Sequence, residues 1–282
     1  MRSMDHIRLC SWNVNSVRAR WPLVERLVAD WRPDILCLQE TKVAADLFPR
    51  EAFAALGYPH QLVRGMKGYN GVAILSRLPL ADETAHSWCG ADDARHLAAR
   101  LPGGVMLHNF YVPAGGDIPD PKENPRFAHK LAFLDEMIAW AAHLREPVIL
   151  LGDLNVAPHP EDVWSHKALL DVVSHTPQET ERLLRLQEAH DFVDAVRLRH
   201  PRPMKLYTWW SYRARDWAAS DRGRRLDHVW TSPALGGAVA DVIVLREARG
   251  WERPSDHVPV LVDLDREACL GRGFSSDSAS MA

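Results

Sequence analysis

Val148-Ile149-Leu150-Leu151 runs directly into Gly152-Asp153-Leu154-Asn155, an apolar stretch that ends in a carboxylate and an amide with one residue between them. A short apolar run bounded by a polar turn reads as a buried strand. Residues i and i+2 of a strand share a face, so Asp153 and Asn155 project together at the mouth of a sheet. The pattern recurs. Ser11-Trp12-Asn13-Val14-Asn15 follows the apolar stretch from Ile7, and Leu38-Gln39-Glu40-Thr41 follows Ile35-Leu36-Cys37. Leu226-Asp227-His228 and Ser255-Asp256-His257 each lead into apolar β-type runs. One such segment is an ordinary strand end with a polar cap. Five together describe a sheet edge furnished with carboxylates, amides and a histidine, the composition of a hydrolytic metal site.

The rest of the chain alternates strands and helices. Strands are expected near Ile7–Asn13, Ile35–Gln39, His60–Arg64 and Val72–Ser76, with helices near Val17–Trp31 and Arg50–Leu56. Arg95–Leu101 and Val105–Val112 read as a hairpin turning at Pro102-Gly103-Gly104. Within 124–144, Phe127, Leu131, Leu134, Ile138 and Ala141 form one helical stripe. A further helix is expected over Glu179–His190. Strands follow at Leu206–Tyr212, Arg225–Thr231, Val239–Leu245 and Val258–Leu264. Hairpins without regular β-α alternation favour two packed mixed sheets flanked by helices over a doubly wound parallel sheet. No domain boundary or repeat interrupts this, so residues 1–265 are expected to form a single α/β domain. The remainder, 266–282, is Gly/Ser-rich from Gly271 onward and is expected to be a disordered tail.

In order, Trp12-Asn13, Leu38-Gln39-Glu40-Thr41-Lys42, Asn109-Phe110-Tyr111-Val112-Pro113, Gly152-Asp153-Leu154-Asn155, Arg225-Leu226-Asp227 and Ser255-Asp256-His257 resemble the motifs of exonuclease III-type apurinic/apyrimidinic endonucleases. These belong to the endonuclease/exonuclease/phosphatase superfamily. Each motif alone is weak. The ordered set, spanning roughly residues 6 to 264, is specific. The resemblance implies a four-layer α/β sandwich and a metal-dependent phosphodiesterase.

That chemistry needs a cation to neutralise phosphate, an activated water and stabilisation of the charge that develops on phosphorus and the leaving oxygen. Glu40 is the first expected metal ligand, with Asp256 as a second or water-mediated contact and Asn15 near the same ion. A hard cation such as Mg²⁺, with Mn²⁺ as a substitute, takes one or two carboxylates and retains waters. Asp153 is expected to act as base or to orient the attacking water, with Asn155 holding that carboxylate and meeting the phosphate. The resemblance gives Asn13 a similar orienting role. His257, with Asp227 accepting from its ring, is expected as an imidazolium facing the pentavalent phosphate. Tyr111 can donate to a phosphate oxygen or assist the leaving group. Motifs for a covalent nucleophile, Gly-x-Ser-x-Gly, the P-loop and His-Glu-x-x-His, are absent.

Core residues alone do not separate the superfamily's substrates. A phosphatase or phospholipid phosphodiesterase of the same superfamily is the alternative, and a catalytically silent DNA-binding protein is a third reading. Lys42 resembles the basic residue of the repair branch. Trp209 and Leu226 resemble residues lining a pocket for a flipped-out abasic sugar. One departure stands out: Arg224 occupies a place where relatives often carry a bulky apolar pocket residue. Ala114-Gly115-Gly116-Asp117 also differs from fuller versions of the family.

A net charge of −3 does not favour nucleic acid, but it averages an acidic site with its surroundings. From Arg213 to Arg225 there are five arginines in thirteen residues, following Tyr207-Thr208-Trp209-Trp210. Arg213, Arg215 and Arg224 are therefore expected to meet DNA beside aromatic rings. The expected partner is double-stranded DNA with abasic or blocked 3′ ends, bound by a monomer. No apolar run approaches a membrane span, and the first ten residues lack the apolar region of a secretory signal. Four cysteines without Cys-x-x-Cys spacing point to a reduced, cytoplasmic protein with no zinc site.

Overall fold

The computed structural model describes residues 5–272. In chain order the strands are β1 (His6–Asn13), β2 (Ile35–Gln39), β3 (His60–Met66), β4 (Tyr69–Ser76), β5 (Ala81–Thr84), β6 (His96–Arg100) and β7 (Met106–Tyr111). They continue as β8 (Val148–Asp153), β9 (Val193–Asp194), β10 (Trp209–Trp210), β11 (Gly223–Arg224), β12 (Asp227–Thr231), β13 (Val239–Val244) and β14 (Val260–Asp265). Two six-stranded sheets form, in the orders β13-β14-β1-β2-β4-β3 and β5-β6-β7-β8-β12-β9, and β10 and β11 form a separate two-stranded sheet.

Period-two alternation sends each strand's side chains to two faces, and here both faces are covered. Ile7, Leu9, Ile35, Cys37 and Ile74 of the first sheet meet Leu97, Leu107, Ile149, Leu151 and Val229 of the second in the central core. On the first sheet's other face, Cys10, Trp12, Leu36 and Leu38 pack against Val24, Leu27 and Val28 of the helix Trp21–Trp31. On the second sheet's other face, Phe110, Leu150 and Trp230 pack against Phe133, Leu134 and Met137 of the helix Pro125–Ala141. Helix, sheet, sheet, helix is the four-layer α/β sandwich that the sequence predicts.

Differences are concentrated at element ends. The first helix begins at Trp21 rather than Val17, with Pro22 in its opening turn where the missing N–H costs nothing. The helix expected from Glu179 begins at Pro177, because Thr176 and Glu179 form a reciprocal capping box. The last strand begins at Val260, after Pro259. The strand expected over Leu206–Tyr212 shrinks to β10. Strand β5 is exposed throughout and β9 has only two residues, so neither leaves an apolar pattern to read. The expected tail is corrected at its start. Arg266–Leu270 is helical, with Asp265 Oδ1 accepting from the Ala268 N–H at 2.8 Å and with Cys269 and Leu270 buried. Its packing partner is the 102–104 turn, where a Cβ on Gly103 would lie 2.4 Å from the Cys269 carbonyl oxygen. The rest of the expected tail, from 273, lies outside the described residues. Among the described residues no helix is long and apolar enough to cross a membrane.

Candidate active site

Parallel pairing of β1 with β2 and of β7 with β8 brings four strand C-termini to one edge of the sandwich. Antiparallel β12 starts at that edge, with Asp227 directly opposite Asp153. Gly152 allows β8 to lie against β7 on its other side. At φ +133° a Cβ there would lie 2.0 Å from the Phe110 carbonyl oxygen of the neighbouring strand. The turns leaving the strands are strained. Asn15, Glu40, Lys42 and Asn155 all have φ near +50°, a conformation that side-chain-bearing residues seldom adopt.

Asn13 joins the two sheets. Its Nδ2 donates to Glu40 Oε1 at 2.9 Å and to Asp153 Oδ2 at 2.8 Å. Asn155 clamps the same carboxylate, through its backbone N–H to Oδ1 at 3.0 Å and its Nδ2 to Oδ2 at 3.1 Å. His257 Nδ1 lies 2.8 Å from Asp227 Oδ2, which also accepts from Thr208 Oγ1 at 2.6 Å. His257 Nε2 faces Asp153 Oδ2 at 3.6 Å. Asp227 Oδ1 is buried without a hydrogen-bond partner. The His257 ring thus stands between two buried carboxylates, Asp227 and Asp153.

The electrostatics follow from burial. Removal from water, then the charge of Asp227, pushes Asp153 up from its ordinary carboxyl range, against the pull of His257. Burial alone would discharge His257, but Asp227 and Asp153 outweigh it and raise the imidazole well above its usual value. Glu40 is held low although it is buried, because Asn13 and Lys42 both donate to its carboxylate. Asp256 is likewise held low against burial by His257, Trp209 and Asn15. Tyr111 is nearly buried, and burial with the charges of Glu40 and Asp153 keeps its phenol protonated.

Asn15 and Lys42 complete the rim. Lys42 Nζ donates to Asn15 Oδ1 and pairs with Glu40 Oε2, both at 2.6 Å, and Asn15 Nδ2 donates to Asp256 Oδ1 at 3.0 Å. Among the described residues, the three-residue acidic and histidine cluster close enough to share an ion is Asp153, Asp227 and His257, not a set containing Glu40.

Beside this edge opens a cavity of about 700 Å³ whose lining includes Glu40, Asn155, Asp256 and His257 together with Trp209, Leu226, Arg213 and Arg224. Trp209 is half-buried and Trp210 is in the core, so the two tryptophans take opposite faces. Trp209 Nε1 donates to Asp256 Oδ2 at 3.0 Å. Arg215 is exposed on the following loop and does not line the cavity. The expected basic surface also loses one member. Arg225 is fully buried and paired with Asp162 and Asp194, two residues before Asp227, which is buried as well.

Two features left no local signal. Lys130 Nζ donates to the Asn155 carbonyl at 2.8 Å and pairs with Glu179, both side chains fully buried. Thr208, which orients Asp227, stands in the Tyr207–Trp210 run without a motif of its own. Asn109, quoted within its motif but given no role, accepts from Gln39 Nε2 at 2.7 Å and joins the two sheets below the site.

The sequence profile of the endonuclease/exonuclease/phosphatase family matches residues 10–257. The exodeoxyribonuclease III of Haemophilus influenzae is 29% identical over 90% of this chain and 98% of its own length. An AP endonuclease from Archaeoglobus fulgidus superposes with a TM-score of 0.85 at 32% identity, covering 92% of this chain and 99% of that one. A 3′ phosphatase from Neisseria, solved bound to a product DNA hairpin, gives a TM-score of 0.85 at 34% identity with the same coverage. With matching motifs, matching fold and a phosphoesterase-type sheet edge, this chain belongs to the endonuclease/exonuclease/phosphatase family, among its exodeoxyribonuclease III-type hydrolytic nucleases.

Proposed function

We propose that this protein is a Mg²⁺-dependent DNA-repair phosphodiesterase that incises duplex DNA 5′ to abasic sites and trims 3′ ends. The observation that carries the reading is the convergence of Asn13, Glu40, Asp153, Asp227 and His257, from five separate segments, into one cluster of hydrogen bonds and ion pairs. The names of the relatives support the same substrate class, since they are an exodeoxyribonuclease, an AP endonuclease and a DNA-bound 3′ phosphatase.

In this reading Asp153, clamped by Asn13 and Asn155, orients the attacking water and takes up its proton. His257, charged and fixed by Asp227, faces the phosphate oxygens as negative charge builds there. Asn155 meets the phosphate without adding charge. Tyr111, kept protonated, donates to an oxygen at the same centre. Trp209, Leu226 and the arginine-bearing loop receive the strand.

The rim suits a hard cation. Glu40 Oε2 and Asn15 Oδ1 already gather around a positive group, the Lys42 ammonium, and Asp256 adjoins them. Glu40, with Asp256 and Asn15, would hold the ion. When bound, it supplies charge neutralisation of the phosphate. Mn²⁺ has the same oxygen preference. Action as a monomer in the cytoplasm belongs to the same proposal.

The test is a labelled duplex carrying one abasic-site analogue beside an intact duplex, with and without Mg²⁺. Metal-dependent incision 5′ to the lesion supports the reading. Absence of cleavage of either duplex, with turnover of a phospholipid or inositol phosphate, would replace it with the phosphodiesterase alternative.

A further inference from the structure

The cavity beside the catalytic cluster has an uneven wall. Trp209, Leu226, Leu169 and Val172 make it apolar, yet Arg213, Arg222 and Arg224 also line it. Among the described residues none of these three arginines pairs with a carboxylate. Arg224 is the one built into place. Its Nη1 donates to the Val173 carbonyl at 2.9 Å and to Ser174 Oγ at 2.8 Å. Its guanidinium lies over the Trp209 ring, 5.2 Å from the centroid. Its Nε is buried without a partner, while Nη2 is neither hydrogen-bonded nor enclosed. Burial works against its charge, and an anion in the cavity would relieve that cost.

Backbone register fixes where this cation stands. Trp209 bridges His257 on one side and pairs with Arg224 on the other. Two strand spacings of about 4.8 Å therefore separate Arg224 from His257, roughly 10 Å between backbones. That separation leaves room for a phosphate at His257 and a further group between it and Arg224.

We propose that Arg224 forms an anion subsite that reads a carboxylate or phosphate on the group beyond the scissile phosphate, so that 3′ ends blocked by a charged remnant are cleared in preference to ends blocked by a neutral one. This rests on the phosphodiesterase reading above. In the step concerned, water oxygen bonds to phosphorus, the bond from phosphorus to the 3′ oxygen breaks, and that oxygen takes a proton. The remnant departs as its own phosphate monoester. A planar guanidinium suits a carboxylate or phosphate by paired N–H donors, whereas a neutral sugar offers it no counter-charge.

The experiment compares kcat/KM on two duplexes whose 3′-terminal phosphate is esterified either with glycolate, which carries a carboxylate, or with ethylene glycol, which does not. Wild type should favour the glycolate ester by about tenfold or more, the range of a charge-assisted hydrogen bond. Arg224→Leu should bring that ratio to within about twofold; a general loss of DNA affinity would lower kcat/KM for both esters alike and leave the ratio at its wild-type value. Arg224→Gln, which retains an amide donor for Val173, gives the same comparison where the leucine variant melts early. A ratio unchanged by both substitutions, or equal cleavage of the two esters by wild type, overturns the subsite alone. No cleavage by wild type of either ester or of the abasic duplex overturns the phosphodiesterase reading and the subsite with it.

Discussion

Two clusters of buried charge lie on either side of Leu226, and they are built on opposite plans. Before it, Arg225 pairs with Asp162 at 2.6 Å and with Asp194 at 2.8 Å, and Arg197 adds a second cation to Asp162. Two carboxylates meet two guanidinium groups. After it, Asp227 opens onto Asp153, with His257 as their shared cation and one oxygen of Asp227 unpartnered. The first arrangement satisfies its charges and holds Asp162 well below the carboxyl range, against burial, through Arg225 and Arg197. The second crowds negative charge and raises Asp153 instead. A matched cluster stabilises a fold. A mismatched one, kept at a cost in folding energy, is the kind of site that does chemistry.

The largest expected effect lies in the matched cluster. Asp162→Asn leaves Arg225 buried with half its counter-charge, which costs about 3–5 kcal/mol of stability. Urea denaturation measures it, and a loss below about 1 kcal/mol would remove the contrast. The acid limb sharpens the point. Because the folded pKa of Asp162 is depressed, its contribution is fully present above the unfolded value of about 3.9 and is lost as pH falls through the folded value. Wild type should therefore lose stability steeply below about pH 4, and Asp162→Asn should show a flatter acid limb on the same titration.

Next comes the mismatched cluster. His257→Ala should lower single-turnover cleavage by on the order of 10²-fold or more while duplex binding survives. Equal losses of binding and cleavage would make His257 a structural residue. Glu40→Gln has a narrower expected effect, a shift of the Mg²⁺ titration to higher concentration with the metal-saturated rate less affected. An unmoved titration would exclude Glu40 as a ligand. Smallest is the outer loop. Replacing Arg213 or Arg215 with alanine should reduce the slope of log affinity against log salt by about one, and an unaltered slope for both would take that loop out of the DNA path.

The legibility of these clusters in the sequence differs for a physical reason. Strand-end polar residues follow apolar runs, so Asn13, Glu40, Asp153, Asp227 and His257 were readable locally, and the sandwich follows from the same alternation. The partners that position them come from far along the chain. Lys130 reaches Glu179 and the Asn155 carbonyl from mid-helix, and nothing in its own segment distinguishes it from a solvated lysine. Asp162 pairs across 63 residues with Arg225, which reads in sequence as one more arginine of a basic loop. Charge in a run says how many cations there are. Only packing says which of them face water.

The comparison is tested most directly by measuring melting and abasic-duplex cleavage on the same preparations of Asp153→Asn and Asp162→Asn. Asp153→Asn should melt within a few degrees of wild type yet cleave on the order of 10²-fold more slowly or worse. Asp162→Asn should melt roughly 10 °C lower or more, its folded fraction cleaving within a few-fold of wild type. If both variants lose stability and activity in parallel, the division between a cluster that folds the chain and a cluster that hydrolyses phosphodiesters is contradicted.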